Sequence, residues 1–204
     1  DRHSRPLVLV WGMLNTKDQT GYFRAFKGIA RHVYTVPVTA SDAGVSNAEL
    51  AARIDTSDEW ITTRTGIRER RWAAEGQASS DLAIEASRRA LQAAGCSAGE
   101  VDAIILSTTS PDMAFPSTAC FVQRGLGCRG VAAFDVSASC AGFLYGRSMA
   151  NAMILSGQVK TCLVVAAEVK SRFLDPTDAA TAVLFGDGAG AVVTGRDAPV
   201  GRRP

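Results

Sequence analysis

The 204-residue sequence predicts an α/β fold with a largely parallel sheet covered on both faces, and three observations lead there. Apolar runs such as "VDAIILSTT" and "TCLVVAAE" are continuous rather than alternating, as in strands buried on both sides. Segments with apolar residues at helical spacing separate those runs, the order of a layered α/β domain. Glycines stand where the helical patterns stop, at Gly95 and Gly157.

In chain order, "PLVLVWGML" (6–14) reads as a short buried strand broken at a glycine. A helix is expected from about Thr20 to Arg31, then a strand at "VYTVPV" (33–38), whose branched and aromatic side chains favour the pleat. Residues 1–44 thus form a βαβ-like segment. The small, polar "TASDAGVS" (39–46) is taken as a linker or loop. From 45 to 195 the pattern is steady: "NAELAARI" and "SDEWITTRTG" give helical turns. "SSDLAIEASRRALQAAG" gives a stronger helix, with Ser80 as its cap, Asp81 at the positive end of the dipole, and Leu82, Ala86, Ala90 and Ala93 on one face. The strand "VDAIILSTT", a short helix from Pro116 to Leu126, the strand "GVAAFDV", a helix from near Cys140 to Gly157, the strand "TCLVVAAE" and a glycine-rich return into "AGAVVTG" complete it. Residues 196–204 read as a tail.

Composition narrows the function. With 47% hydrophobic and 21% charged residues, the chain holds enough apolar material for one or two cores. A net charge of +2 with both signs interspersed gives no footprint for nucleic acid. Uncharged runs stop short of the ~18 residues that span a bilayer, so a soluble protein without membrane contact is expected. Five cysteines without a C-x-x-C pair fit reduced thiols in a cytoplasm and offer no metal site.

Within "DVSASCAGFLYG" (135–146), Cys140 falls where an apolar strand meets a small-residue helix. Backbone N–H groups at a helix start stabilise a thiolate and can donate to an oxyanion, while Ala141 and Gly142 leave room for a substrate. A buried structural cysteine is the bland alternative, and it is the reading kept for Cys96, Cys120, Cys128 and Cys162. In "DTSDEWITTRTGIRERRW" (55–72), Trp60 and Arg64 lie four apart on an expected helix, so an indole and a guanidinium on one face could sandwich a flat base. A solvated basic face around one core Trp accounts for that spacing equally well. "FGDGAGAVV" (185–193) lacks the spacing of a phosphate or dinucleotide loop and indicates tight turns before a strand, and "DPTDAAT" (175–181) reads as a loop with an Asp cap.

Together, "NAELAARIDTSDEWITTRTGIRERR", "AFPSTACFVQRGLG", "FDVSASCAGFLYG", "DPTD" and "LFGDGAGAVV" resemble the N-terminal half of β-ketoacyl-acyl carrier protein synthase III, the condensing enzyme that initiates fatty acid synthesis. The resemblance covers about Val45 to Thr194. It implies a thiolase-like fold of which this is one of two duplicated halves, a homodimer, and an acyltransferase reaction without a cofactor, coenzyme A thioester being the substrate. Cys140 would accept an acyl group from acyl-coenzyme A, and malonyl-acyl carrier protein would then condense with it as it loses carbon dioxide. The resemblance also implies that Trp60 and Arg64 hold the adenine with Thr56 nearby, that Phe115 closes the partner's acyl pocket, and that Phe185 lies beside the cysteine. Ala179 and Ala180 stand where the family often reads Arg-Gly, so a basic coenzyme A contact is missing or replaced. The histidine and asparagine that the family uses come from its second half; no histidine follows His32 here, so full turnover is not expected of this sequence. The competing readings are a non-catalytic coenzyme A-binding or dimerisation module and another thiolase-superfamily acyltransferase, such as a hydroxymethylglutaryl-coenzyme A or polyketide synthase. "RPLVLVWGMLNTKDQTGYFRAFKGIARHVYTVPV" is instead similar to the C-terminal domain of folylpolyglutamate and dihydrofolate synthases, which implies a chimeric or mis-joined reading frame.

Overall fold

The computed structural model describes residues 7–10, 30–34 and 44–195. Strand β1 (Leu7–Val10) pairs in parallel with β2 (Ala30–Tyr34). The second strand therefore starts earlier than the apolar run at 33, and Ala30 and Arg31 are extended rather than helical. Ala30 pairs with Leu7 and His32 with Val8, so Arg31 is carried between them as an irregularity in the ladder. The rest of the expected 20–31 helix, residues 35–38 of the expected strand and the tail lie outside the described residues.

The expected linker also ends in structure. Strand β3 (Gly44–Ser46) pairs antiparallel with β4 (Glu69–Arg71), because Val45 is buried in a cluster with Leu50, Ile54, Ile61, Ala182 and Val183. Helix α1 (Asn47–Ala51) opens on a reciprocal cap: Glu49 N donates to Ser46 Oγ at 3.2 Å, and Ser46 N donates to Glu49 Oε2 at 2.7 Å. Helix α2 (Asp58–Thr65) is capped by Ser57 and stopped by Gly66, whose φ of 71° suits glycine.

Helix α3 (Ser79–Ala94) begins one residue before the expected cap. Ala78 holds the cap position, and its N–H donates to Asp81 Oδ2 at 2.8 Å. Ser80 lies inside the first turn, where its N–H donates to Asp112 at 2.9 Å. Asp112 thus supplies the acceptor that the Ala78 side chain lacks, while Asp81 takes the N–H of the cap residue itself.

Strand β5 (Ala103–Ser107) is buried at every position and lies inside a four-stranded sheet. Across that sheet run β6 (Ala132–Val136), β5, β7 (Thr161–Glu168) and β8 (Gly188–Gly195); the first three are parallel and β8 is antiparallel to β7. Helix α3 and α4 (Thr118–Leu126) cover one face through Ala83, Ala86, Ala90, Ala119 and Val122 against Ile104, Leu106, Leu163 and Val165. Helix α5 (Gly142–Leu155) covers the other through Ala150 and Ile154 against Ala103, Ile105, Cys162 and Val164. Alternate β5 residues feed opposite cores, as a two-sided strand requires.

Candidate active site

The parallel strands end along one edge of the sheet, where Val136, Ser107 and Ala166 share a register line that continues to Gly190 near the start of β8. The turn after β6 and the loop before β8 therefore emerge at the same edge. Three inter-strand steps, about 14 Å, separate them at strand level. Cys140 belongs to the first turn and Phe185 to the second loop.

Between β6 and α5 the chain makes a one-turn 3-10 helix, Ser139–Ala141, so Cys140 precedes the first α-helical residue by two positions. Cys140 is exposed. Among the described residues, Ser139 is the one non-glycine with positive φ, at 45°. A side-chain-bearing residue in that region is strained, and such strain collects at functional turns. The incoming strand is pinned by Asp135, whose carboxylate accepts from Thr118 N at 2.7 Å and Ala119 N at 2.8 Å at the start of α4. Sequence reasoning passed over Asp135. The signal was present, since an acid inside an apolar strand requires donors.

The other cysteines behave as packing residues. Burial pushes the thiols of Cys96 and Cys128 up, and it pushes buried Cys162 up to about 12, with Asp102 adding to the effect. Cys120 is half-buried, its Sγ 3.2 Å from Ser117 Oγ.

Helix α2 builds a second site. Ser57 Oγ accepts from Trp60 N at 3.1 Å, and the Arg64 guanidinium lies 4.9 Å from the Trp60 ring centroid. Trp60 remains 45% exposed, and an open groove of about 360 Å³ is lined by Ser57, Glu59, Trp60, Thr63 and Arg64. The spacing of four thus becomes a stacked pair accessible to solvent. Thr56 does not line this groove; its hydroxyl is buried without a hydrogen-bond partner.

Phe115 projects with 87% of its surface exposed, and Leu184 and Phe185 are also exposed. The Phe185 loop is held from below by Asp187 and by Arg70, a basic residue of the 55–72 stretch that is buried among backbone and side-chain acceptors rather than set on a solvated face or left open to phosphates. Buried Arg70 donates from Nε and Nη2 to Val183 O and from Nη1 to Asn47 Oδ1. Asp187 accepts from Ala73 N at 2.6 Å, Ser171 N at 2.8 Å and Ser171 Oγ at 2.6 Å. In the "DPTD" turn, Asp175 accepts from Thr177 and Asp178 from Ala180 and Thr181, which holds both carboxyls below the usual range. Ala179 and Ala180 are exposed there.

A family model described as 3-oxoacyl-[acyl-carrier-protein (ACP)] synthase III matches residues 134–203. The beta-ketoacyl-[acyl-carrier-protein] synthase III of Laribacter hongkongensis is 58% identical over 160 residues, which are 78% of this chain and 50% of that protein. The crystal structure of 3-oxoacyl-[acyl-carrier-protein] synthase III from Aquifex aeolicus superposes with a TM-score of 0.74 at 50% identity, over 77% of this chain and 51% of that one. The priming β-ketosynthase of the R1128 polyketide pathway superposes with a TM-score of 0.74 at 40% identity, over 76% of this chain and 47% of that one. The chain spans about half the length of the curated relatives it matches. The fold is thiolase-like α/β, here as one half.

Proposed function

We propose that this chain carries the nucleophile-bearing half of a 3-oxoacyl-[acyl-carrier-protein] synthase III, a condensing enzyme, and that Cys140 accepts an acyl group from acyl-coenzyme A. The observation that carries the reading is the placement of Cys140: exposed, one residue after strained Ser139 and two before α5. The thiol sulfur attacks the thioester carbonyl, the carbon–sulfur bond to coenzyme A breaks, and the thiol proton ends on the departing coenzyme A sulfur. Backbone N–H groups at the head of α5 supply donors for the developing oxyanion. Trp60 and Arg64 hold the adenine, and Phe115 and Phe185 border acyl space.

Condensation with malonyl-acyl carrier protein is the second step in this reading, on a cytosolic homodimer. Residues 44–195 contain no histidine, so the chemistry they carry ends at the acyl-enzyme. Residues 1–44 are read as a segment of separate origin, similar to a folate-ligase C-terminal domain. Long-read sequencing of the locus tests that: reads in which both parts are continuous with a full-length downstream half overturn the mis-joined frame.

Intact-protein mass spectrometry after exposure to acetyl-coenzyme A tests the acyl transfer. One acetyl adduct is expected, mapping to Cys140 and lost in Cys140→Ala; its absence in protein shown to be folded overturns the reading. The stacked pair at 4.9 Å favours a second reading, a coenzyme A-binding module. Binding kept in Cys140→Ala and lost in Trp60→Ala, without any acyl adduct, selects it; binding unchanged in both variants removes it.

A further inference from the structure

Helix α5 reaches the sheet by a close approach at its first residue. A Cβ built on Gly142 would stand 1.9 Å from Ser107 Oγ and 3.0 Å from Ser107 Cβ. One turn later, a Cβ on Gly146 would stand 3.3 Å from both Ile105 Cγ2 and Val164 Cγ1. Rotation of the Ser107 hydroxyl relieves the first clash, but its Cβ is fixed by the strand. Ser107 is the last residue of β5, it is buried, and it is paired on both sides, with Val136 and Ala166. It is a rigid stop against which the start of α5 rests.

We propose that Ser107 is a positioning residue for Cys140: through its contact with Gly142 it sets the height of the first turn of α5, and with it the place of the thiol two residues earlier. The inference rests on the reading of Cys140 as nucleophile, but its contacts do not depend on which acyl donor is used. The strained Ser139 turn on one side and the Ser107 stop on the other leave the intervening residues little freedom.

The test is the rate of Cys140 alkylation by iodoacetamide in the full chain, expressed as a ratio to Cys120 in the same molecule, beside the rate of acetyl transfer from acetyl-coenzyme A. Gly142→Ala is expected to change the Cys140 to Cys120 ratio by at least about threefold, since displacing a helix start alters the surroundings of the adjacent thiol. Removing the opposing atoms in Ser107→Gly/Gly142→Ala is expected to restore it to within about twofold of the wild-type ratio, a rescue that general destabilisation does not give. Buried Cys162 serves as the fold control, since its alkylation reports an opened core. Should Gly142→Ala fail that control, Ser107→Val carries the test, adding bulk from the strand side with a residue that strands favour; the same change in ratio is expected. An unchanged ratio in a folded variant, or a double variant no nearer wild type than Gly142→Ala, overturns the proposal. A wild-type chain that alkylates but takes no acetyl group overturns the acyl-transfer reading instead, and the alkylation ratios still decide the role of Ser107.

Discussion

Replacing Arg70 by methionine removes a buried cation without removing much volume. Arg70 is 3% exposed, and its guanidinium reaches no carboxylate among the described residues: Nε donates to Val183 O at 3.0 Å, Nη1 to Asn47 Oδ1 at 2.6 Å, and Nη2 again to Val183 O. Burial pulls its pKa below the ordinary arginine value, yet guanidinium remains charged at neutral pH. Methionine leaves Val183 O and Asn47 Oδ1 without donors in a region closed to water. At about 1–3 kcal/mol for each of the two stranded acceptors, the expected loss is about 2–6 kcal/mol. Asn47 raises the stakes, because its Nδ2 also lies within donating distance of Asp58 Oδ1, Thr62 Oγ1 and Ile67 O, joining α1 to α2 and to the turn that precedes β4. For a chain of this size each kcal/mol moves the melting temperature by about 2–4 °C, so a drop of roughly 10 °C is expected. Urea denaturation followed by circular dichroism measures the free energy, and limited proteolysis reports whether cleavage between 175 and 187 rises with it. Arg70→Lys should fall between the two, since one ammonium cannot serve both acceptors with the geometry of the fork. A methionine variant within about 1 kcal/mol of wild type would refute the reasoning.

Two further outcomes follow from burial. Cys162 has its thiol pushed up to about 12 from a reference of 9.0, so its sign is that of an acid whose neutral form the fold prefers. Above pH 9 the unfolded thiol loses its proton while the folded one keeps it until about pH 12. Stability from this group is therefore complete below pH 9 and declines by about 1.4 kcal/mol per unit above it. Cys162→Val should flatten that decline between pH 9 and 10.5 in urea titrations, and equal slopes for the two proteins would refute the attribution. The outer face of α5 exposes Leu144, Tyr145, Met149 and Leu155, with Phe115 and Phe173 exposed elsewhere. A contiguous apolar surface of more than a few hundred Å² drives association, so light scattering should show mass rising with concentration, less so in Met149→Lys. A monodisperse wild-type monomer at high concentration contradicts this.

What the sequence made legible was what local spacing encodes. A continuous apolar run identified "TCLVVAAE", which is the full extent of β7, and the i, i+4 spacing of Trp60 and Arg64 became a stacked pair because α2 is capped at both ends. What stayed hidden depends on partners distant in the chain. Arg70 meets Val183 across 113 positions, and Asp187 reaches Ala73 across 114. The three-residue β3 is too short for any periodicity, and it exists because β4 pairs with it. Ser80 was a sound cap by composition, but Asp112, over thirty residues away, takes its N–H.

If Cys140 is the nucleophile proposed above, helix α5 shows why placing it and completing its site are separate problems. Its inner face is made of small residues, Gly142, Gly146 and Ala150, which let the backbone approach the sheet closely enough for Ser107 to act as a stop. Its outer face carries the larger side chains, Leu144, Tyr145, Met149 and Leu155, on which little packs among the described residues. Ser148 and Asn151 interrupt that outer face, so the helix is apolar on its inner side and mixed on its outer one. The inner contacts are formed within residues 44–195, and they fix Cys140 at the head of the helix. On the proposed reading, an acyl group carried by exposed Cys140 is open to water on the side that no described residue covers. Acylation of this chain therefore reads the inner half of the site alone. An adduct that forms and hydrolyses about as slowly as acetyl-coenzyme A in the same buffer is the behaviour expected of a positioned nucleophile with its outer side uncovered.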